Sequence, residues 1–160
     1  MNTVLQCLVC DDEPHALDLL EMYISRTPFL NLHTATTSPM EALQILRAGS
    51  IDLLFLDIQM EELNGLQLLE VLSPDCEVIL TTAYPEYALE GYELAVLDYL
   101  LKPFSFERFL KAAGRARALH FTPSERLADP GFQKEEAHIF IKGDAKNKFH
   151  RLALKEILYV

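Results

Sequence analysis

The sequence predicts an α/β fold in which a doubly wound parallel sheet of five strands is covered by five helices. Short apolar runs alternate along the chain with segments of helical periodicity. The middle runs are nearly continuous, as expected for strands that are covered on both faces. Connections in such a sheet are right-handed crossovers, and ligands gather at the carboxyl ends of its strands.

Five apolar runs define the predicted strands. They are VLQCLVC (4–10), LNLHTA (30–35), IDLLFLD (51–57), CEVILTT (76–82) and VLDYLL (96–101). Their length and spacing fit strands separated by helical crossovers.

Residues that start and stop helices delimit the five predicted helices. Pro14 suits a first helical turn, and Ser38 begins a capping box that Glu41 completes three residues later. Gly49 ends the second helix, and Ser105 caps the last one. The predicted helices span residues 14–24, 39–48, 64–72, 85–94 and 106–119.

The pattern changes after the fifth helix. Residues 120–136 contain two prolines, one glycine and no apolar periodicity, which predicts a linker. The segments AHIFIKG and FHRLALK alternate with period two and predict a C-terminal β-hairpin. The roughly 25 residues after the linker are too few for an independent core. We therefore expect one domain over residues 1–119, a linker over 120–136 and an incomplete second domain over 137–160.

Charge and cysteine content limit the classes of function. The net charge of -10 argues against a nucleic-acid-binding surface over the whole molecule, although residues 133–160 carry 6 basic against 4 acidic residues. Cys7 and Cys10, three residues apart on one strand, are predicted to face opposite ways and are interpreted as core thiols. No apolar run approaches the ~18 residues of a membrane span, so we expect a cytoplasmic protein without a membrane partner.

Charged and hydroxyl side chains collect at the carboxyl ends of the predicted strands. Asp11 and Asp12 follow the first strand, and Asp57 ends the third. Thr82 and Lys102 stand at the ends of the fourth and fifth. Three acids beside one lysine favour a divalent ion on oxygen ligands, most simply Mg²⁺. Ordinary structural roles remain open, because an Asp at a helix start accepts backbone N–H groups and a polar residue can simply end a strand.

Four segments, in order, resemble the motifs of response-regulator receiver domains of two-component systems. They are VCDDE, FLDIQMEELNGL, TTAY and DYLLKPF. The resemblance covers residues 4 to about 119 and implies a flavodoxin-like sheet with strand order 2-1-3-4-5. It also implies a signalling protein rather than an enzyme, with a sensor histidine kinase as its phosphoryl donor.

The resemblance assigns roles to the residues at the strand ends. Asp57 is implied as the phosphoacceptor, and Lys102 and Thr82 are implied to contact the phosphoryl oxygens. The implied Mg²⁺ ligands are Asp12 and Asp57 directly, Asp11 through a water molecule and Gln59 through its backbone carbonyl. A cis peptide bond before Pro103 is also implied.

The resemblance also implies an output. Tyr99 is the implied switch residue, coupled to Thr82, and the predicted fourth helix, fifth strand and fifth helix form the implied homodimer surface. The series TTAYPEYALEGYELAVLDYLLKPF is similar to receivers of the LytTR (LytR/AgrA-type) class, and IFIKGDAKNKFHRLALKEILYV to the opening strands of its DNA-binding domain. Either the sequence is part of a longer regulator or its output domain is degenerate, and DNA binding is expected only of a complete protein.

Other interpretations remain open beside a phosphorylation-controlled transcriptional regulator. One is a receiver-fold interaction module whose contacts do not depend on phosphate. Another, a small phosphohydrolase, is weaker because Gln59 stands where a second acid is required. The sequence also departs from the family at Glu61, where a proline is common, and the effect of this acid on the site has no predicted sign.

Overall fold

The computed structural model describes residues 4–72, 74–87 and 95–120, together with the backbone of residues 138–142 and 149–153. The strands of the main sheet are β1 (Leu5–Cys10), β2 (Leu30–Thr36), β3 (Leu53–Asp57), β4 (Glu77–Thr82) and β5 (Asp98–Leu101). The α-helices are α1 (Pro14–Ser25), α2 (Pro39–Arg47), α3 (Gly65–Leu72) and α4 (Phe106–His120). All strand pairs of this sheet are parallel, in the order β2-β1-β3-β4-β5, so the predicted doubly wound fold is confirmed.

Alternate residues of the central strands enter two separate cores, one on each face of the sheet. The first core contains Cys7 and Phe55 and is closed by α1 and α4, where Phe55 stacks on Phe109 at 5.2 Å between ring centroids. The second contains Cys10 and Leu56 and is closed by α2 and α3. Because both faces are buried, the strands need apolar residues at every position, which explains their continuous runs. The two cysteines face opposite ways, as predicted.

The capping box predicted at α2 forms only in part. The Ser38 hydroxyl accepts the Glu41 N–H at 3.3 Å, as expected for an N-cap. The reciprocal bond is absent, because the Glu41 carboxylate accepts a hydrogen bond from the Thr36 hydroxyl instead. Thr36 in turn accepts the Ser38 N–H at 3.0 Å. A residue at the end of β2 therefore replaces half of the box and ties the strand to the helix.

Parts of the predicted architecture lie outside the described residues. The predicted fourth helix begins as a 3-10 turn at Pro85–Tyr87, and residues 88–94 are outside the described part. His120, predicted as the first linker residue, is the last residue of α4, and the rest of the linker is not described. Strands β6 (His138–Lys142) and β7 (Phe149–Ala153) pair antiparallel, as predicted for the hairpin. The domain boundaries stay a prediction. The helices in the described part of the chain are too short or too polar to span a membrane.

Candidate functional site

Three carboxylates meet where β1 and β3 end. One oxygen atom each of Asp11, Asp12 and Asp57 can be chosen so that all three lie within 4.8 Å of one another. Because β1 and β3 are paired in parallel, Asp11 and Asp12, which follow Cys10, reach the same edge of the sheet as Asp57, which ends β3. Asp11 is fully buried and Asp57 is 4% exposed, whereas Asp12 is partly exposed. The cluster is thus a recessed acidic site that remains open at Asp12.

Lys102 is the cation of this cluster. It follows β5, and its Nζ lies 2.7 Å from Asp11 Oδ2 and 3.5 Å from Asp57 Oδ1. The other oxygen of Asp11, Oδ1, accepts the Glu13 N–H at 2.9 Å just before α1. Asp11 therefore accepts the backbone N–H of the residue that precedes α1 as well as taking part in the site, but the N-cap of α1 is Glu13 and has no side-chain cap. The peptide bond from Lys102 to Pro103 is cis.

Burial and neighbouring charges shift the pKa values of Asp57 and Lys102. Burial, followed by the charge of Asp11, raises the pKa of Asp57 from 3.8 to about 7, although Lys102 opposes the rise. Burial lowers the pKa of Lys102, but its hydrogen bond to Asp11 and the surrounding carboxylates outweigh burial and raise that pKa overall. Three carboxylates share one ammonium group, so a further cation would relieve their repulsion. A hard divalent ion such as Mg²⁺ fits this all-oxygen donor set.

The loop after β4 is held through the backbone of one residue, Tyr84. The Thr82 hydroxyl, buried at the end of β4, accepts the Tyr84 N–H at 3.1 Å. The Tyr99 hydroxyl donates to the Tyr84 carbonyl at 2.5 Å. Thr82 and the predicted switch residue Tyr99 therefore both hydrogen-bond to Tyr84, a link that the sequence did not reveal. The side chain of Gln59, another predicted site residue, is exposed and donates to the Tyr87 hydroxyl at 3.4 Å.

Gly65 is a site residue that the sequence reasoning missed. A Cβ atom at this position would lie 2.3 Å from the backbone carbonyl oxygen of Asp57. The Gly65 N–H also donates to the Ile58 carbonyl at 2.8 Å, which brings the start of α3 against the end of β3. The N-G pair within FLDIQMEELNGL is the signal that could have identified it. Only glycine allows this close approach, so Gly65 helps to fix the backbone that carries Asp57.

Asp98 was also missed, although it organises the strand that leads to Lys102. Its carboxylate receives two hydrogen bonds from Arg108, at 2.8 and 3.0 Å, and one from Arg115 at 2.9 Å. Arg108 donates a further bond to the Tyr99 carbonyl at 2.9 Å. These bonds connect the start of β5 to α4, so the strand bearing Tyr99 and Lys102 is anchored by the following helix.

A family model described as the response regulator receiver domain matches residues 7–114. The chain belongs to this family. A response regulatory protein of Vibrio cholerae is 34% identical over 73% of the chain and 50% of its own length. The sensory transduction protein LytT of Bacillus anthracis is 33% identical over 94% of the chain and 58% of its own length. The transcriptional regulatory protein BtsR of Escherichia coli is 27% identical over 98% and 65%. These names agree with the expectation of a signalling protein rather than an enzyme.

Solved receiver structures share the fold of this receiver domain. The response regulatory domain of MrkE from Klebsiella pneumoniae has a TM-score of 0.67 at 24% identity, covering 72% of this chain and 97% of that one. The response regulator TrrA from Thermotoga maritima, crystallised in complex with Mg²⁺-BeF, has a TM-score of 0.62 at 28% identity, covering 71% and 99%. This chain spans about half to two thirds of the length of the curated relatives described above.

Proposed function

We propose that this receiver domain accepts a phosphoryl group on Asp57 from a sensor histidine kinase in a Mg²⁺-dependent reaction. The observation that carries the proposal is the meeting of Asp57 with Asp11 and Asp12 within 4.8 Å, beside Lys102. Asp57 lies at the end of β3, at the edge of the sheet where ligands of such folds bind. The similarity to TrrA, a response regulator crystallised with Mg²⁺-BeF, supports it further.

The residues of the site supply the positioning and charge that phosphoryl transfer needs. An Asp57 oxygen attacks phosphorus while the phosphorus–nitrogen bond of the donor breaks, and the departing imidazole nitrogen keeps the bonding electron pair. Lys102 neutralises the phosphoryl oxygens. The Thr82 hydroxyl, which accepts the Tyr84 N–H, keeps its own proton to donate to one of these oxygens.

The metal would be held by the cluster and by one backbone oxygen. Its ligands would be Asp12 and Asp57 directly, Asp11 through water and the Gln59 backbone carbonyl. When bound, Mg²⁺ supplies positive charge that offsets the carboxylates and the incoming phosphoryl group. Bound there, this charge would lower the pKa of Asp57 from about 7 and would keep its carboxylate ionised as the nucleophile at neutral pH.

The Tyr84 backbone couples the site to Tyr99, because both Thr82 and Tyr99 hydrogen-bond to it. Once the Thr82 hydroxyl turns to the phosphoryl group, the Tyr84 backbone moves with it, and the hydrogen bond from Tyr99 to Tyr84 is strained or exchanged. Tyr99 then changes the surface formed by β5, α4 and the predicted fourth helix, and two copies associate through this surface. A bistable element of this kind converts a local charge into a change of partner.

The output that we propose is transcriptional. The similarity to LytT and BtsR extends over 94% and 98% of the chain, well beyond the receiver domain. Residues 137–160 would then begin a LytTR-type DNA-binding domain, and DNA would be a partner of the complete protein only.

Intact-protein mass spectrometry tests the central step. We expect acetyl phosphate with Mg²⁺ to add the mass of one phosphoryl group, because Asp57 is the acceptor. Asp57→Asn should abolish the gain, and Asp18→Asn, which removes an exposed acid of α1, should retain it. Chelating Mg²⁺ should abolish the gain in wild-type protein and in Asp18→Asn.

Two outcomes would overturn the assignment. A phosphoryl group that persists in Asp57→Asn would place the acceptor elsewhere. Failure of wild-type protein to gain mass with acetyl phosphate, phosphoramidate and a phosphorylated kinase domain would favour a phosphorylation-independent interaction module.

A further inference from the structure

Thr81 carries a buried hydroxyl group for which the described residues provide no hydrogen-bond partner. The residue is fully buried in β4, and its Oγ1 is the one buried side-chain nitrogen or oxygen atom in the described part of the chain without a partner. Leaving a buried hydroxyl unpaired costs free energy, and an apolar side chain of the same shape would avoid the cost. A threonine here calls for an explanation.

The register of the sheet places Thr81 beside the acceptor. Its Cα is paired with that of Asp57 on β3, and the Ile58 N–H donates to the Thr81 carbonyl at 3.0 Å. Phe55 and Ile79, each two residues earlier, both belong to the first core. Because side chains alternate along a strand, Thr81 and Asp57 lie on the same face of the sheet as neighbours.

Lys102 comes from the strand on the other side of Thr81. The Cα of Thr81 is also paired with that of Leu100, another residue of the first core, and Lys102 follows Leu100 by two positions. The Lys102 ammonium is now bonded to Asp11, with Asp57 Oδ1 farther away at 3.5 Å. The unpaired hydroxyl thus lies between the strands that carry the acceptor and its cation.

We propose that Thr81 is a positioning residue whose hydroxyl donates to Asp57 once Asp57 carries a phosphoryl group. This inference rests on the proposed function. In the phosphorylated state the Asp57 oxygen that is not bonded to phosphorus would serve Mg²⁺ with one lone pair. Once Lys102 turns to the phosphoryl oxygens, the second lone pair of that oxygen is a buried acceptor without a donor. The Thr81 hydroxyl is the adjacent donor with a free proton. The cost of the unpaired hydroxyl in the resting protein is recovered in the phosphorylated state, which shifts the equilibrium towards that state.

Thr81→Val tests the proposal because valine keeps the shape of threonine and removes its hydroxyl. Fluoroberyllate, formed from beryllium in excess fluoride with Mg²⁺, serves as the phosphoryl analogue, and ¹⁹F NMR measures its binding. We expect Thr81→Val to weaken fluoroberyllate binding roughly 2- to 10-fold, the value of one hydrogen bond. Thr81→Ser, which restores a hydroxyl, should recover most of the affinity. The urea midpoint of metal-free Thr81→Val should equal or exceed that of wild type.

Thr27→Val is the matched control. Thr27 is equally buried, but its hydroxyl donates to the Tyr23 carbonyl at 2.9 Å and lies beyond the end of α1 that is remote from the site. Its loss should lower the urea midpoint and leave fluoroberyllate binding unchanged. The two substitutions should therefore have opposite patterns of effect.

Two results would overturn the role of Thr81. One is wild-type affinity for fluoroberyllate in Thr81→Val. The other is a drop in its urea midpoint as large as that of Thr27→Val, which would mean that the hydroxyl is already paired in the resting protein. If wild-type protein itself binds no fluoroberyllate and gains no phosphoryl mass, the proposed function fails instead.

Discussion

Asp11 and Asp57 are close neighbours whose surroundings differ. Asp11 has a donor on each oxygen, the Glu13 N–H and the Lys102 ammonium. Asp57 is buried beside it and has Lys102 only at 3.5 Å. Burial and the charge of Asp11 therefore raise the pKa of Asp57 to about 7. The nearest cation is therefore engaged mainly by Asp11 rather than by Asp57, the proposed acceptor.

Asp57→Asn is expected to stabilise the metal-free protein more at pH 8 than at pH 5. The folded protein holds the Asp57 proton more tightly than the unfolded chain, so wild-type stability falls as the pH rises from 3.8 towards 7. Asparagine has no such titration. Urea unfolding in EDTA should show that the free energy of unfolding of Asp57→Asn, relative to wild type, increases by on the order of 1–3 kcal/mol from pH 5 to pH 8.

Mg²⁺ provides the control for this prediction. Because a bound cation offsets the buried charge, Mg²⁺ should stabilise wild-type protein at pH 8 more than it stabilises Asp57→Asn. An advantage of the variant that is the same at both pH values would show that the charge of Asp57 carries no such cost.

At the scale of elements, two glycines of the helices predict opposite effects of the same substitution. Gly65→Ala should destabilise the protein by about 1–3 kcal/mol, because its Cβ would lie 2.3 Å from the Asp57 carbonyl oxygen at the junction of β3 and α3. Gly114→Ala, in α4 with nothing within 4 Å of the new atom, should stabilise it by about 1 kcal/mol. Urea unfolding of both variants measures the difference.

The rate of phosphorylation by acetyl phosphate should also differ between the two glycine variants. Gly65→Ala should also slow the reaction, because the strain displaces the backbone of Asp57, whereas Gly114→Ala should leave the rate unchanged. Equal stability effects in the two variants would contradict the close approach of α3 to β3.

At the scale of the whole molecule, the surface of β5 and α4 is expected to mediate association. Leu101 and Leu110 of these elements are 41% and 40% exposed, so this surface offers apolar side chains that a second copy would cover. Light scattering should show the mass of wild-type protein doubling when fluoroberyllate and Mg²⁺ are added. Leu110→Glu should prevent the doubling, because it places a charge in the interface.

Val71→Glu is the matched control for this surface. Val71 is 68% exposed but belongs to α3, outside the proposed interface. We expect this variant to dimerise like wild type. Loss of the dimer in Val71→Glu with retention in Leu110→Glu would move the interface to another face.

Features that depend on local sequence pattern were predictable, whereas contacts between different elements were not. Local pattern predicted the strands and the opposite faces of Cys7 and Cys10, and the structure agrees. It also predicted the end of α2, which closes at Arg47 with Gly49 just beyond the C-cap at a φ of 80°. The predicted hydrogen bond from the Ser38 N–H to the Glu41 carboxylate is absent, because the hydroxyl of Thr36, in β2, donates to that carboxylate instead. Local rules could not anticipate this competition.

The sequence by itself determined the alternation of strands and helices and the residues at the strand ends, because both depend on periodicity and chain order. The tertiary structure alone decided which of these residues touch. It paired Lys102 with Asp11, clamped Asp98 between Arg108 and Arg115, and left the Thr81 hydroxyl unpaired beside Asp57. The reason is physical: the 2.7 Å contact between Lys102 and Asp11, which are 91 positions apart, depends on sheet register and packing, which no local pattern encodes.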